Sequence, residues 1–255
     1  MNPILFRIDK SKYIKKMYDE GELSFGCAKI WSEDTHNDRG DEEEGLISRL
    51  PRELSKEQTF FFKKIKSKYK KDLLITEGYD CCNVKIKSSM YYPIMCFYRF
   101  DDRNFDLETL ETGKQINGLV DKDYLESFGS NEASILIIHN VELFLKKICI
   151  SLKEKYDIEY KDIIYKEVTY FDKTKVYFSL ENPDQLFVKD IRYETQKENR
   201  IVIVKNKLIR KGIENNRFNL RIGSMKNYSA LINYSKEIDV IARGDINVER
   251  IRNEL

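Results

Sequence analysis

From Asp162 onward the chain returns repeatedly to short runs that alternate in period two, and this pattern limits the possible fold more than any other feature of the sequence. Segments 163–170, 175–179, 200–204, 218–222 and 238–242 are each the length of a strand and rich in branched or aromatic residues. Earlier runs at 4–8, 23–30, 73–76, 84–87, 93–100 and 134–139 read the same way. Helical spacing is confined to three stretches. Tyr13, Ile14 and Met17 recur before a stop at Gly21, and Phe61, Phe62, Ile65 and Tyr69 follow a Ser55–Gln58 pair at capping-box spacing. Val141, Phe144, Leu145, Ile148, Leu152 and Tyr156 mark the third. Helices gathered in the first two thirds and strands in the last third do not make a repeating βαβ series, so the pattern predicts an α+β fold. With only four prolines there is no Pro-rich linker, and one domain over 1–255 is expected.

Composition narrows the function classes. A chain of 255 residues with 41% apolar content hides roughly 70–75% of its unfolded surface on folding, which excludes collagen, coiled coil and wholesale disorder. Its 45 basic and 43 acidic residues leave a net charge of +2, so no global field recruits nucleic acid and any such binding is local. Cys27, Cys81, Cys82, Cys96 and Cys149 make an odd count with no CxxC pair, which reads as reduced thiols in a cytoplasm. No apolar run approaches the about 18–20 residues of a membrane span. Only His36 and His139 are present, and no metal site is expected.

The segment richest in chemistry runs from Phe187 to Ile203, and within it Gln196-Lys197-Glu198-Asn199-Arg200 carries the closest polar spacing. On a strand that starts by Gln196, residues 196, 198 and 200 share one face. A glutamate two residues after a glutamine suits a developing cation, the carboxylate facing the charge and the amide orienting an acceptor. The same alternation equally describes a solvated strand edge carrying a Glu198–Arg200 pair.

Several short motifs together resemble a large, poorly characterised bacterial family found in mobile elements and phage-defence loci. They are Leu5-Phe6-Arg7-Ile8, Leu23-Ser24-Phe25, the loop from Asn37 to Gly45, Tyr193-x-x-Gln196-x-Glu198-x-Arg200, and Leu220-Arg221-Ile222-Gly223-Ser224-Met225. The resemblance implies a weak kinship to ADP-ribosyltransferases, hence split, mainly antiparallel sheets with helices and NAD as substrate. It implies that Arg7 on the first strand holds NAD, that Glu198 stabilises the oxocarbenium ion left as nicotinamide departs, and that Gln196 positions the acceptor. Arg39, Asp41 and Arg200 join Arg7 as candidate NAD-binding residues, with Arg39 and Asp41 folding the acidic loop over a pocket. The implied role is a cytoplasmic, toxin-like or defence effector that modifies a protein or nucleic acid, with a defence-system protein as a further candidate partner. No Ser-Thr-Ser motif is present on a middle strand; Ser88-Ser89 is a fragment of one.

Other readings stand beside this one. Arg7 also suits a structural pair with a carboxylate of the 33–44 loop. The acids of that loop suit either a divalent cation or plain solvation. Lys63, Lys64, Lys66, Lys68, Lys70 and Lys71 suit either a phosphate backbone or the outer face of an amphipathic helix. Two further functions remain open. One is a non-enzymatic module that binds a nucleotide or a partner; the other is a metal-dependent nuclease using Asp184, Asp190, Glu194 and Glu198 with Lys197.

Overall fold

A computed structural model describes residues 4–33, 41, 43–78, 80–100, 133–172, 178–205 and 217–233. In chain order, β1 (Ile4–Lys10) runs into α1 (Ser11–Glu20), and β2 (Glu22–Phe25) is followed by α2 (Ala28–Glu33). Next come β3 (Leu46–Pro51), α3 (Lys56–Tyr69), β4 (Leu73–Glu77), β5 (Cys81–Ile86) and β6 (Ile94–Phe100). They are followed by β7 (Ala133–Ile138), α4 (Val141–Tyr156), β8 (Ile163–Glu167), β9 (Thr169–Phe171) and β10 (Phe178–Ser179). The last described strands are β11 (Val188–Asp190), β12 (Glu198–Ile203), β13 (Phe218–Arg221) and β14 (Ser229–Asn233).

The large sheet has the order β14-β7-β1-β6-β12-β8, and every pairing in it is antiparallel. A second sheet has the order β10-β3-β5-β4, also antiparallel. Two-stranded ladders join β2 to β13 antiparallel and β9 to β11 parallel. The protein is therefore mixed α+β with mainly antiparallel sheets. The runs at 4–8, 93–100 and 134–139 are strands β1, β6 and β7, which form half of the large sheet, so strands are spread along the chain and not gathered in its last third. The strand expected over 23–30 ends at Phe25. Gly26 makes an isolated bridge to Ile94, and the Cys27 carbonyl then accepts from Ile30 and Trp31, which turns the chain into α2. The run at 238–242 lies outside the described residues.

One face of the large sheet carries the main core. Leu5, Phe97, Leu136 and Ile201 pack there against Ile14 and Met17 of α1 and against Phe144, Ile148 and Leu152 of α4. Each such side chain, fully buried, contributes about 1.5–3 kcal/mol. The helix α4 holds its register because Val141, Phe144, Ile148 and Leu152 fall on one stripe and the Asn140 side chain accepts from the Leu143 N–H at 3.0 Å. The β2–β13 ladder closes the same core through Leu23, Phe25, Phe218 and Leu220. Among the described residues no helix is long and apolar enough to cross a membrane.

Gly21 ends α1 in the left-handed region at φ 65°, and its carbonyl accepts from the Ile222 N–H at 3.0 Å. A Cβ added there would lie 2.0 Å from the Gly223 carbonyl oxygen, a backbone atom that cannot turn aside. Gly21→Ala is therefore expected to lose about 2–3 kcal/mol in urea denaturation. A loss within about 0.5 kcal/mol would mean that the two segments do not approach so closely.

Candidate functional site

The site begins where a ladder stops. β1 pairs with β6 only from Ile4–Phe100 to Phe6–Tyr98, although β1 continues beside β7 to Lys10 and β6 continues beside β12 to Ile94. At Ile94 the open edge of β6 is taken up by Gly26, through two backbone bonds of 2.9 Å. Between these two points the Cys96 carbonyl faces the gap, and Arg7 Nη1 donates to it at 2.7 Å in place of a strand N–H. A cleft of about 240 Å³ opens there, walled by β1, β6, α2, the Glu44 turn and the start of β12.

A buried charge network forms its floor. Arg200 is the largest wholly buried side chain described, at 1% exposure. Its Nη1 and Nη2 donate to the two oxygens of Glu44 at 2.6 and 3.1 Å, its Nε to Glu198 Oε2 at 2.9 Å, and Nη1 also to the Leu186 carbonyl at 2.7 Å. The Trp31 ring lies 5.6 Å from the guanidinium. Lys189, 4% exposed, donates from Nζ to Glu198 Oε1 at 2.7 Å and to Gln196 Oε1 at 2.5 Å. The Glu198 N–H donates to the Tyr170 hydroxyl at 2.8 Å. Two cations and two carboxylates thus balance, as burial at this depth requires.

Local geometry aims each group. Gly45 adopts φ 72°, and a Cβ there would meet Met90 Sδ at 2.7 Å, so the turn that points Glu44 inward needs glycine. Gln196 is not on the strand: it ends a 3₁₀ segment, Ile191–Gln196, and Lys197 follows in the left-handed region at φ 40° before β12 starts at Glu198. Gln196 and Glu198 share the cleft because Lys189 ties their oxygens together, not because of period-two alternation. Nor is β12 a solvated edge, for all six of its residues are buried between β6 and β8.

Of the six residues singled out from sequence, Arg7, Gln196, Glu198 and Arg200 line this cleft. Arg7 is half-buried and reaches Asp9 Oδ2 at 3.4 Å besides Cys96, so two of its five N–H donors are engaged. Asp41 lies off the cleft wall. It is 1% exposed and its Oδ1 accepts from the Glu43 N–H at 2.9 Å, which shapes the turn. Arg39 lies outside the described residues. Sequence reasoning missed Glu44, Lys189, Trp31, Cys96 and Arg217, all on the cleft wall. The glycine after Glu44 is a signal for a special turn, and Lys189 directly after Leu186-Phe187-Val188 carries the signal of a charge set into an apolar run. The carboxylates of the nuclease alternative do not converge. Asp184 pairs with Lys166 and Asp190 with Arg192, and among the described residues no three His, Cys, Asp or Glu cluster as metal ligands.

Burial would raise the Glu198 carboxyl, but the charges and hydrogen bonds of Lys189 and Arg200 outweigh it and hold the group well below the usual carboxylate range. Burial likewise opposes the charge on Lys189, yet Glu198 holds its ammonium above the ordinary lysine range. The Cys96 thiol is pushed up to about 12, by burial first and then by the Glu198 charge, so it stays protonated and is no nucleophile. A carboxyl depressed on folding contributes stability above its unfolded value, and that contribution drains away as pH falls toward the folded value. Thermal stability is therefore expected to fall from about pH 4.5 downward and to be still falling at about pH 3, with a flatter profile in Glu198→Gln. A melting temperature constant over that interval in the wild type would contradict the ion-paired carboxylate.

Comparisons with protein-family models, with curated proteins and with solved structures give no match for this chain.

Proposed function

We propose that the cleft binds NAD and that the protein is an ADP-ribosyltransferase-like effector which breaks the bond between nicotinamide and ribose. The observation that carries this reading is that Arg7, on β1, and Glu198, on β12, line one cleft where the sheet forks. Arg7 retains donors for a phosphate, and Arg217 on the rim has no ion-pair partner among the described residues. Trp31 supplies a flat ring for a planar base. A volume of about 240 Å³ is below the about 300–1,000 Å³ of sites for drug-sized ligands, so the cleft takes the nicotinamide–ribose half and the adenosine half extends past the rim.

In the reaction so read, the carbon–nitrogen bond breaks with its electron pair going to nicotinamide, which leaves neutral, and positive charge develops on the ribose. Glu198, ionised at any working pH, faces that charge as an electrostatic stabiliser. The acceptor's lone pair then closes the new bond to the ribose carbon, and its proton passes to solvent, since the ion-paired Glu198 is a weak base. The acceptor is a protein or nucleic-acid nucleophile, and the setting is a defence or toxin system in a cytoplasm.

One observation favours a second reading, nucleotide binding without turnover. Both Glu198 oxygens already hold cations, Lys189 at 2.7 Å and Arg200 at 2.9 Å, which reduces the field available to a ribose cation. Two measurements separate the readings: NAD binding by calorimetry and nicotinamide release by chromatography, in wild type and in Glu198→Gln. Release by the wild type alone supports the transferase. Binding without release supports the module, and neither would leave NAD without a place here.

A further inference from the structure

The second charged feature of the sequence, the lysine run, lies on α3 and the turn after it, apart from the cleft network. Helix α3 is fixed at its start by a reciprocal capping box, Ser55 Oγ accepting from the Gln58 N–H at 3.2 Å and Gln58 Oε1 from the Ser55 N–H at 2.9 Å. Only Ile65 of the helix is fully buried. On the opposite face, Lys56, Phe60, Lys63, Lys64 and Ser67 fall at helical spacing and all are exposed. Phe60 is 73% exposed, with three lysines around it on that face. Between Lys56 and Lys71 there are seven lysines against one acid, Glu57. Among the described residues none of the seven makes a salt bridge, whereas lysines elsewhere pair readily, as Lys153 does with Asp157 and Lys226 with Asp19.

Solvation alone accounts for lysines but not for a phenylalanine in their midst, because an aromatic ring left in water forfeits its burial energy. We infer that this face of α3 is a docking surface for single-stranded nucleic acid, with the ammonium groups set against phosphates and Phe60 offered to an unpaired base. Stacking on one ring requires a base out of its duplex, which selects single strands. Charge complementarity decides the sign of the partner: the whole chain carries +2, while this one segment concentrates seven cations. An anionic membrane is a poorer fit, since an interfacial helix buries a continuous apolar face and this one exposes a single large apolar residue. The inference does not depend on what the cleft binds.

The test is fluorescence anisotropy of the full chain with a labelled oligo-thymidine of about 20 nucleotides, long enough to span one binding surface. With four to five phosphates neutralised, the affinity is expected to fall about 50- to 130-fold between 50 and 200 mM salt. Lys63→Glu with Lys64→Glu should weaken binding at least about tenfold and make it less steep in salt. Phe60→Ala should weaken it about tenfold with the salt dependence unchanged. All three side chains are exposed, so unchanged melting curves verify that the variants remain folded. No salt-dependent binding, or binding indifferent to these substitutions, would overturn the inference. So would equal affinity for a duplex of the same length, or Phe60-dependent binding to phosphatidylserine vesicles with none to the oligonucleotide.

Discussion

Arg200→Met is expected to cost about 3–5 kcal/mol, because it removes the cation that lies between two buried carboxylates, leaving Glu44 without its main partner and Glu198 without one of its two. Glu44 is 1% exposed and receives two guanidinium bonds, so it loses nearly all its compensation, while Glu198 keeps only Lys189. For a chain of this size each kcal/mol lowers the melting temperature by about 2–4 °C, so the midpoint should drop by about 6–20 °C. Adding Glu44→Gln to Arg200→Met should recover part of the loss, since the amide no longer buries a charge. A single variant within about 1 kcal/mol of wild type would show that Glu44 reaches water, and the network would then not be the rigid floor described above.

The second large effect concerns chemistry. If the cleft turns over NAD, Glu198→Gln should lower the rate of nicotinamide release about a hundredfold to a thousandfold while NAD affinity changes only a few-fold. The substitution keeps the shape and removes the charge that faces the ribose. Because it also unbalances Lys189 and Arg200, rates need comparison at a temperature where both proteins are fully folded. Equal rates would assign the measured release to another group and reduce Glu198 to an anchor for its two cations.

The local parts of the fold were readable from sequence. Stripes of apolar residues placed α4 over Val141–Tyr156, and the Ser55–Gln58 pair marked the start of α3, because cap and periodicity are properties of neighbouring residues. Alternation does place Glu198 and Arg200 on one face of β12, but it fails for Gln196, where the backbone makes a 3₁₀ segment and a left-handed step at Lys197 before the strand begins. Arg200 beside Ile201, Val202 and Ile203 signals a buried cation that must have a partner. Nothing local says which acid answers it. Glu44 is separated from Arg200 by 156 residues and stands in a run of four acids, so only the assembled sheets select it. The fork between β1 and β6 was equally hidden, for a ladder ends where a third segment, here Gly26, takes the edge.

The order of strands in the large sheet has a consequence for synthesis. Its fifth position is filled by β12, which lies between β6 and β8 and brings both Glu198 and Arg200. A chain still on the ribosome and shorter than that strand has Glu44 and Arg7 but no floor beneath the cleft. The contacts that complete it are among the most distant in the sequence, and such contacts form late. Whatever the cleft does, its floor is absent until β12 has been made. For an effector harmful to its own cell, translation itself would then supply a delay before activity begins.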